Sequence, residues 1–343
     1  MRKPVSLDVL PEKPLVSILV ASYNYEAYIE EAVGSALKQT YEHIEIIVCD
    51  DGSTDDSCAI VKRLALADDR IQLLEQENAG VAAALNNAFQ RCKGAIVCLL
   101  DADDTFHPDK VRLVVDKMQW QGLTGFVQHA MDVVDGDHNI IKQLPVHGLF
   151  EEGWIADKLE QRGGRWRNMP ASALSFRREI AAMMFPLPAS DLRSMADAYL
   201  YMMAPMLTKV GYLSRPLSAY RLHGANLTGA LHFDASLSRK YTEGIERVHA
   251  CINLVANQRQ LPMPALESDR HLTYVEHRFM QQLFEGSNKR DLKEMYKQVS
   301  SRIQKDDLYP AARKRFGLLV FGAALYMPVK LRSKWISWTI GRG

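Results

Sequence analysis

Over the first 120 residues the apolar positions switch repeatedly between two periods. Residues 15–21 (LVSILVA) form a short, nearly unbroken apolar run, the pattern of a strand covered on both faces. Tyr28, Ile29, Ala32, Val33, Ala36 and Leu37 then recur at helical spacing. Residues 44–49 (IEIIVC) are strand-like again. A helix through Cys58, Val61, Leu64 and Ala65 follows, with Ser53 or Thr54 as its cap and Asp55 and Asp56 in its first turn. The series continues with a short strand at 71–74, a helical stripe at Val81, Leu85, Ala88 and Phe89, and the strand AIVCLL at 95–100. Pro108 opens a helix through Val111, Val114, Val115 and Met118. Strict alternation of strand and helix predicts an α/β fold with a mostly parallel, Rossmann-like sheet flanked by helices. In such sheets ligands bind at the carboxyl ends of the strands.

After Gly122 the alternation stops. Residues 126–134 and 140–144 flank Asp135-Gly136-Asp137, a hairpin-type turn. A helix is expected over 154–161, a strand over 173–177, and a helix over 192–209 that Pro205 kinks or interrupts. From 233 to 315 the pattern is polar and helical, with no strand signal.

Composition alters this picture at one place. With 42 basic and 41 acidic residues among 343, the formal charge of +1 gives no support to nucleic-acid binding. The balance is uneven, however. Residues 308–343 hold seven basic side chains (Arg313, Lys314, Arg315, Lys330, Arg332, Lys334, Arg342) and no acidic one, so the other 307 carry 35 basic against 41 acidic. Cys49, Cys58, Cys92, Cys98 and Cys251 are odd in number and form no C-x-x-C pair, so a disulfide framework and a zinc knuckle are both unsupported. Reduced thiols in a cytoplasmic protein are expected. The first residues (MRKPVSLDVLPEKP) lack the apolar core of a signal peptide.

The chemistry lies at the ends of the predicted strands. Asp50-Asp51-Gly52-Ser53 follows the second strand, and Asp101-Ala102-Asp103-Asp104 follows AIVCLL. Both clusters fall on one rim of the sheet. Carboxylates this close raise one another's pKa unless a cation or donor joins them, and hard oxygen ligands suit Mg²⁺ or Mn²⁺ holding a diphosphate. The plain alternative is that they cap the next helices.

Taken in order, Ser22-Tyr23-Asn24, then Asp50 to Asp55 (DDGSTD), then Asn78-Ala79-Gly80 with Ala84 and Asn86, then Asp101 to Asp104 (DADD) resemble family 2 glycosyltransferases of the GT-A fold over residues 14–125. The likeness returns at 193–200 (RSMADAYL) and at 220–226 (YRLHGAN). It implies a glycosyltransferase that moves a sugar from a nucleotide-diphosphate sugar, UDP favoured, to a saccharide or lipid-linked hydroxyl in polysaccharide or glycolipid biosynthesis. It also implies Mn²⁺ or Mg²⁺ as cofactor and inversion at the sugar. Position by position, Ala21 and Tyr23 would line the nucleotide site. Asp50 would accept from the base ring, and Asp51 would hold the loop or reach the ribose. Asn78 and Gly80 would close over nucleotide and sugar. Asp101, Ala102 and Asp103 would form the Asp-x-Asp motif, with Asp101 near sugar or ribose hydroxyls, Asp103 on the metal, and Asp104 a second metal candidate. Asp197 matches the catalytic base; an alanine precedes it where the family often has Glu, and Asp191 is the fallback. The chain then divides into a tail (1–13), a donor-binding half (14–125), an acceptor-binding half with the base (126–232), a helical extension (233–312) and a basic, apolar C-terminal segment (313–343).

Several residues keep two readings. His223 could ligate the metal or touch the diphosphate, contact the acceptor, or hydrogen-bond within a loop. Arg221 suits phosphate oxygens as well as a structural ion pair. Arg193, one turn before Asp197 on the predicted helix, orients that carboxylate or is a solvated charge. Trp154, Trp166 and Tyr199 line an acceptor cleft or belong to the core. Residues 316–329 (FGLLVFGAALYMPV) carry no charge; as one helix they would span about 21 Å, short of a bilayer core of about 30 Å. With basic flanks and with Trp335 and Trp338 beyond, the segment suits peripheral contact with the inner face of the plasma membrane through 313–340, docking on the protein's own core, or a homodimer contact. Among other functions, a nucleotidyltransferase needs a Gly-rich basic loop where Ser22-Tyr23-Asn24-Tyr25 stands. A dinucleotide dehydrogenase needs G-x-G-x-x-G there. A non-catalytic sugar-nucleotide scaffold would be expected to lack Asp103 or Asp197, and both are present.

Overall fold

The computed structural model describes residues 2–120, 124–145, 150–223 and 234–340. The chain forms two compact units. The first holds residues 1–157, 167–223 and 251–263; the second holds 158–166, 224–250 and 264–343.

The first unit is built on strands β1 (Val16–Ser22), β2 (Ile44–Asp50), β3 (Ile71–Glu75), β4 (Ile96–Asp101), β5 (Thr105–Phe106), β6 (Thr124–Val134), β7 (Ile140–Leu144), β8 (Ser175–Arg177) and β9 (Lys209–Arg221). Helices α1 (Ile29–Leu37), α2 (Ser57–Ala67), α3 (Val81–Arg91) and α4 (Lys110–Trp120) connect the early strands. Short helices α5 (Ala156–Gln161), α6 (Arg178–Met184) and α7 (Ala196–Met203) occupy the later half. The strands join in the order β3-β2-β1-β4-β8-β6-β9-β5, with β7 on β6. From β3 to β4 every pairing is parallel. Beyond β4 the sheet is mixed: β8 runs antiparallel to β4 and β6, and β6 and β9 run parallel. Residues 14–125 and 126–223 therefore share one sheet. Side chains of β1, β2 and β4 are buried on both faces, which is why these strands are continuous apolar runs without alternation. Val16, Ile18 and Val20 pack with Val33 and Ala36 of α1 and with Val111, Val114 and Met118 of α4.

Four local expectations change. Neither Ser53 nor Thr54 caps α2, which starts after Asp56 with no side-chain cap; Ser53 is instead drawn onto Asp50. The helix expected over 192–209 is confined to α7, with a 3₁₀ turn at Ala204–Met206 around Pro205. Arg193 therefore precedes the helix. β9 and α6 were not expected. Pro216 inside β9 argues against a strand, since proline cannot donate to the ladder. It is accommodated where the β6–β9 register slips on either side of the Ala130–Pro216 pair. Finally, residues 316–329 are not one helix.

The second unit is helical: α8 (Ala235–Gln258), whose residues 235–250 belong to this unit, α9 (Leu272–Glu285), α10 (Lys289–Lys305), α11 (Ala311–Ala324) and α12 (Val329–Ile340). Leu272, Phe279 and Leu283 of α9, Leu292, Val299 and Ile303 of α10, Val320, Phe321 and Ala324 of α11, and Ile336 of α12 form its core. Arg332, counted above as a basic flank, is buried and donates to the carbonyls of Leu283 and Met327. Among the described residues no helix is long and apolar enough to cross a membrane.

Candidate active site

The strand register brings the two acidic clusters together. Ala21 on β1 sits beside Cys49 of β2 and Asp101 of β4, and Ser22 beside Asp50. Adjacent parallel strands thus end at one level, and the turns after β1, β2 and β4 share a rim. Tyr23 follows β1 and is 44% exposed there. Asn24 takes up a positive φ of 58° and accepts from the Thr54 N–H at 2.8 Å, while its own N–H donates to Ser53 Oγ at 3.0 Å. This ties the first turn to the second.

The neighbouring aspartates of the second turn do different work. Asp50 accepts from Ser53 N–H at 2.9 Å and Ser53 Oγ at 2.6 Å. Asp51 faces the loop before α3: it accepts from Gln76 Nε2 at 2.7 Å, Ala79 N–H at 2.8 Å and Gly80 N–H at 2.8 Å. A buried carboxylate receiving three donors holds that loop firmly. Gly80 has φ +94°, and a Cβ there would lie 2.3 Å from Arg193 Cγ and 2.9 Å from the Arg193 carbonyl oxygen. Only glycine lets the Arg193 segment approach so closely. Arg193 donates to the Asn78 side chain, and its carbonyl accepts from Val81 N–H. Arg193 thus acts on the 78–80 loop, not as an orienter of Asp197.

The third turn is the most strongly braced. Ser172, in the 3₁₀ turn Ala171–Ala173, donates its hydroxyl to Asp104 at 2.6 Å and accepts from Asp101 N–H at 3.0 Å. Asp104 also accepts from the Arg221 N–H at 3.1 Å. Both Asp104 oxygens are thereby engaged with the protein itself. Arg221 is buried; its side chain donates to the Asp103 carbonyl at 3.0 Å and to Glu31 at 2.5 Å and meets His138 at 3.3 Å. The ion-pair reading of Arg221 is the one this geometry carries. His223, just beyond β9, places Nε2 2.9 Å from an Asp103 oxygen and stacks on Tyr28 with ring centroids 4.9 Å apart. Gly224, Ala225 and Asn226 of the same motif lie outside the described residues. Among the described residues no three His, Cys, Asp or Glu side chains are arranged to hold a metal by themselves.

The electrostatics of this turn are those of a site short of positive charge. Burial first, then the charges of Asp104, Asp103 and Asp197, push the Asp101 carboxyl well above the ordinary range. Asp104 is raised to about 7 by burial and by Asp103, against the opposing donors. Asp197, in the first turn of α7, accepts from Ala198 N–H at 2.8 Å, and burial raises its pKa as well. Asp191 is exposed and accepts from Ser190 Oγ. Beneath the turn lies Lys110, fully buried, its Nζ 3.0 Å from the Ser172 carbonyl and 3.3 Å above the Phe106 ring; burial lowers its pKa to about 7.

Sequence reasoning did not place Ser172, Lys110, Glu31 or Tyr28 at the site. Lys110 carries a faint signal, since it falls in the first turn of a helix on the side where apolar residues recur. Of the three aromatics weighed for an acceptor cleft, Tyr199 is in the core with its hydroxyl on the Met184 carbonyl, Trp166 is buried within the second unit, and Trp154 is half-buried.

Comparison with known proteins gives this site its context. The family described as glycosyl transferase family 2 matches residues 17–183. An uncharacterized glycosyltransferase of Nostoc sp. is 34% identical over 240 residues, covering 69% of this chain and 74% of the relative. A chondroitin synthase of Escherichia coli is 34% identical over 140 residues, 41% of this chain but only 20% of the synthase. The chain likewise spans 34% of the glycosyltransferase GlyA of Streptococcus pneumoniae. Among solved structures, S. aureus TarS 1-349 in complex with UDP-GlcNAc superposes with a TM-score of 0.58 at 16% identity, over 95% of this chain and 92% of that one. The mannosyltransferase PcManGT of Pyrobaculum calidifontis, in complex with GDP-Man and Mn²⁺, gives 0.50 at 19% identity, over 99% and 89%. The parallel half-sheet with its acidic rim and the extent of these matches lead to one conclusion: the chain belongs to glycosyl transferase family 2 and is a glycosyltransferase of the GT-A fold.

Proposed function

We propose that the protein transfers a sugar from a nucleotide-diphosphate sugar, UDP favoured, to a hydroxyl of a saccharide or lipid-linked acceptor, with a divalent metal and inversion at the anomeric carbon. The observation that carries this is the crowding of Asp101, Asp103 and Asp104 with Asp197 in electrostatic reach, which together with burial holds the Asp101 and Asp104 carboxyls above the ordinary range despite Lys110 and Arg221. The hard carboxylate of Asp103 suits Mn²⁺ or Mg²⁺, and the borderline imidazole of His223 beside it suits Mn²⁺ better than Mg²⁺; diphosphate oxygens would supply further ligands. Such an ion, when bound, would draw off the negative charge that grows on the departing diphosphate. The UDP-GlcNAc and the GDP-Man with Mn²⁺ held by the two neighbouring structures support the donor class and the metal.

The chain's own residues then divide the work. Ala21 and Tyr23 would flank the base and Asp50 would accept from its ring. The Asn78–Gly80 loop, held by Asp51 and Arg193, would cover the nucleotide and sugar, with Asp101 and the Ala102 backbone against hydroxyls of the sugar or ribose. Arg221 and the inward-facing Asp104 would keep Asp103 aimed. Asp197 would take the proton of the acceptor hydroxyl, and its raised pKa makes it a better base than an ordinary aspartate. A single displacement needs one such base and no covalent nucleophile. Polysaccharide or glycolipid synthesis in the cytoplasm is the setting this donor chemistry suits.

Thermal shifts with UDP, dTDP, GDP and their sugars, with and without Mn²⁺, test the reading. A ligand at 100 times its Kd stabilises the native state by about 2.7 kcal/mol. The expected result is a shift that is largest for one UDP-sugar with Mn²⁺ and lost in Asp103→Ala. Equal response of wild type and Asp103→Ala, or no nucleotide response at all, overturns it.

A further inference from the structure

Helix α11 is apolar on its outward side as well as on the side it buries. One face carries Val320, Phe321 and Ala324 into the core of the second unit. The other presents Ala312, Phe316, Leu319 and Ala323, and Tyr326 just past its end, all exposed; Leu319 is 73% and Tyr326 69% exposed. The intervals of four, three, four and three residues set these side chains in one stripe along the helix. The outer face of a surface helix is ordinarily polar, and a contiguous apolar stripe marks a surface that meets something.

Charge identifies what it meets. Arg313, Lys314 and Arg315 stand in the first turns of α11, and exposed Lys330 and Lys334 follow on α12 beside exposed Leu331 and Trp338. From another helix, α10, Lys289 and Lys293 bring their ammonium groups to 4.9 and 6.0 Å from the centre of the Tyr326 ring. The convergence of α10 lysines on the stripe is a product of the fold, invisible in the local sequence. Residues 308–343 contain no acidic side chain. Two copies meeting through this same face would set like charges against each other. An exposed apolar stripe with basic side chains at both of its ends matches the interface of an anionic bilayer.

We propose that the exposed face of α11, with Lys289, Lys293, Lys330 and Lys334, docks on the surface of an anionic lipid bilayer without crossing it. The proposal goes beyond the transfer reaction and does not depend on it. The test is sedimentation of the full chain with vesicles of phosphatidylcholine alone or mixed equally with phosphatidylglycerol, across a salt series. Binding is expected only to the mixed vesicles, weakening as salt rises. It should fall about tenfold or more in Lys289→Gln/Lys293→Gln/Lys330→Gln, and also in Phe316→Ser/Leu319→Ser. All these side chains face outward, so melting temperature and the nucleotide-induced thermal shift should stay at wild-type values, which separates loss of docking from loss of the donor site. Absence of vesicle binding, equal binding to both vesicle types, or unchanged binding in both variants overturns the proposal. So does a dimer in solution that Phe316→Ser/Leu319→Ser dissolves.

Discussion

Nε2 of His223 lies 2.9 Å from a carboxylate oxygen of Asp103, so the turn after β4 and the end of β9 meet across 120 residues of sequence. Tyr28 covers the imidazole from the α1 side. The pair supplies the two protein donors to which the proposed metal would bind. His223→Ala should raise the Mn²⁺ concentration needed for half-maximal transfer by about 10–100-fold, the usual effect of losing a partner at a metal site. A metal titration of turnover checks this, with melting temperature read alongside to separate the loss of metal affinity from the loss of His223 packing on Tyr28.

Asp197→Asn removes the proposed proton acceptor and little else. Transfer should fall about 10²–10⁴-fold while the KM for donor stays near wild type. Because burial raises the Asp197 pKa, the acid limb of the wild-type kcat profile should lie above the ordinary aspartate range. Turnover retained in Asp197→Asn would move the base to the exposed Asp191.

The loop before α3 rests on Asp51 and Gly80. Asp51→Asn keeps one acceptor and turns an amide toward backbone N–H groups that need one, a cost of about 1–3 kcal/mol. Gly80→Ala adds a Cβ 2.3 Å from Arg193 Cγ at a φ of +94°, a strain of about 1–3 kcal/mol. Both should lower the melting temperature and weaken donor binding together, read by denaturation and by donor KM. A drop in stability with unchanged KM would detach this loop from the donor.

Lys110 gives a stability signature at alkaline pH. Its folded-state pKa of about 7 lies below the unfolded 10.5. Between these values the unfolded chain binds the proton and the folded chain does not, so stability should rise with pH across that window. Below about pH 7 both states are charged and the cost of the buried ammonium is fully present. Lys110→Met should abolish this component, flattening the difference in unfolding free energy between pH 7 and 10. An unchanged slope would mean that the folded protein keeps Lys110 protonated throughout.

Much of the donor half was legible because its information is local. Strands β1, β2 and β4 are wrapped on both faces, so each is a continuous apolar run. Asp50, Asp51, Asp101 and Asp103 follow those runs directly, where parallel strands of one sheet must end together. Across the later half the pattern misled. β9 contains Pro216, and only a slipped register against β6 makes room for it. Arg193 carries its charge to Asn78 because α7 starts after it and because Gly80 has no side chain.

Sequence alone determined the alternation of strand and helix, the acidic rim, the family and the basic C-terminal bias, since each is written in neighbouring residues. Tertiary structure decided which aspartates look outward and which are held inward. Asp104 is turned onto Ser172 and Arg221, Asp51 onto a loop, and Lys110 is sealed beneath them. It also decided that residues 316–329 break into two helices and gather lysines from α10. The reason is the same throughout: a side chain's partner is fixed by which distant backbone segments pack beside it, and spacing along the chain carries no record of that.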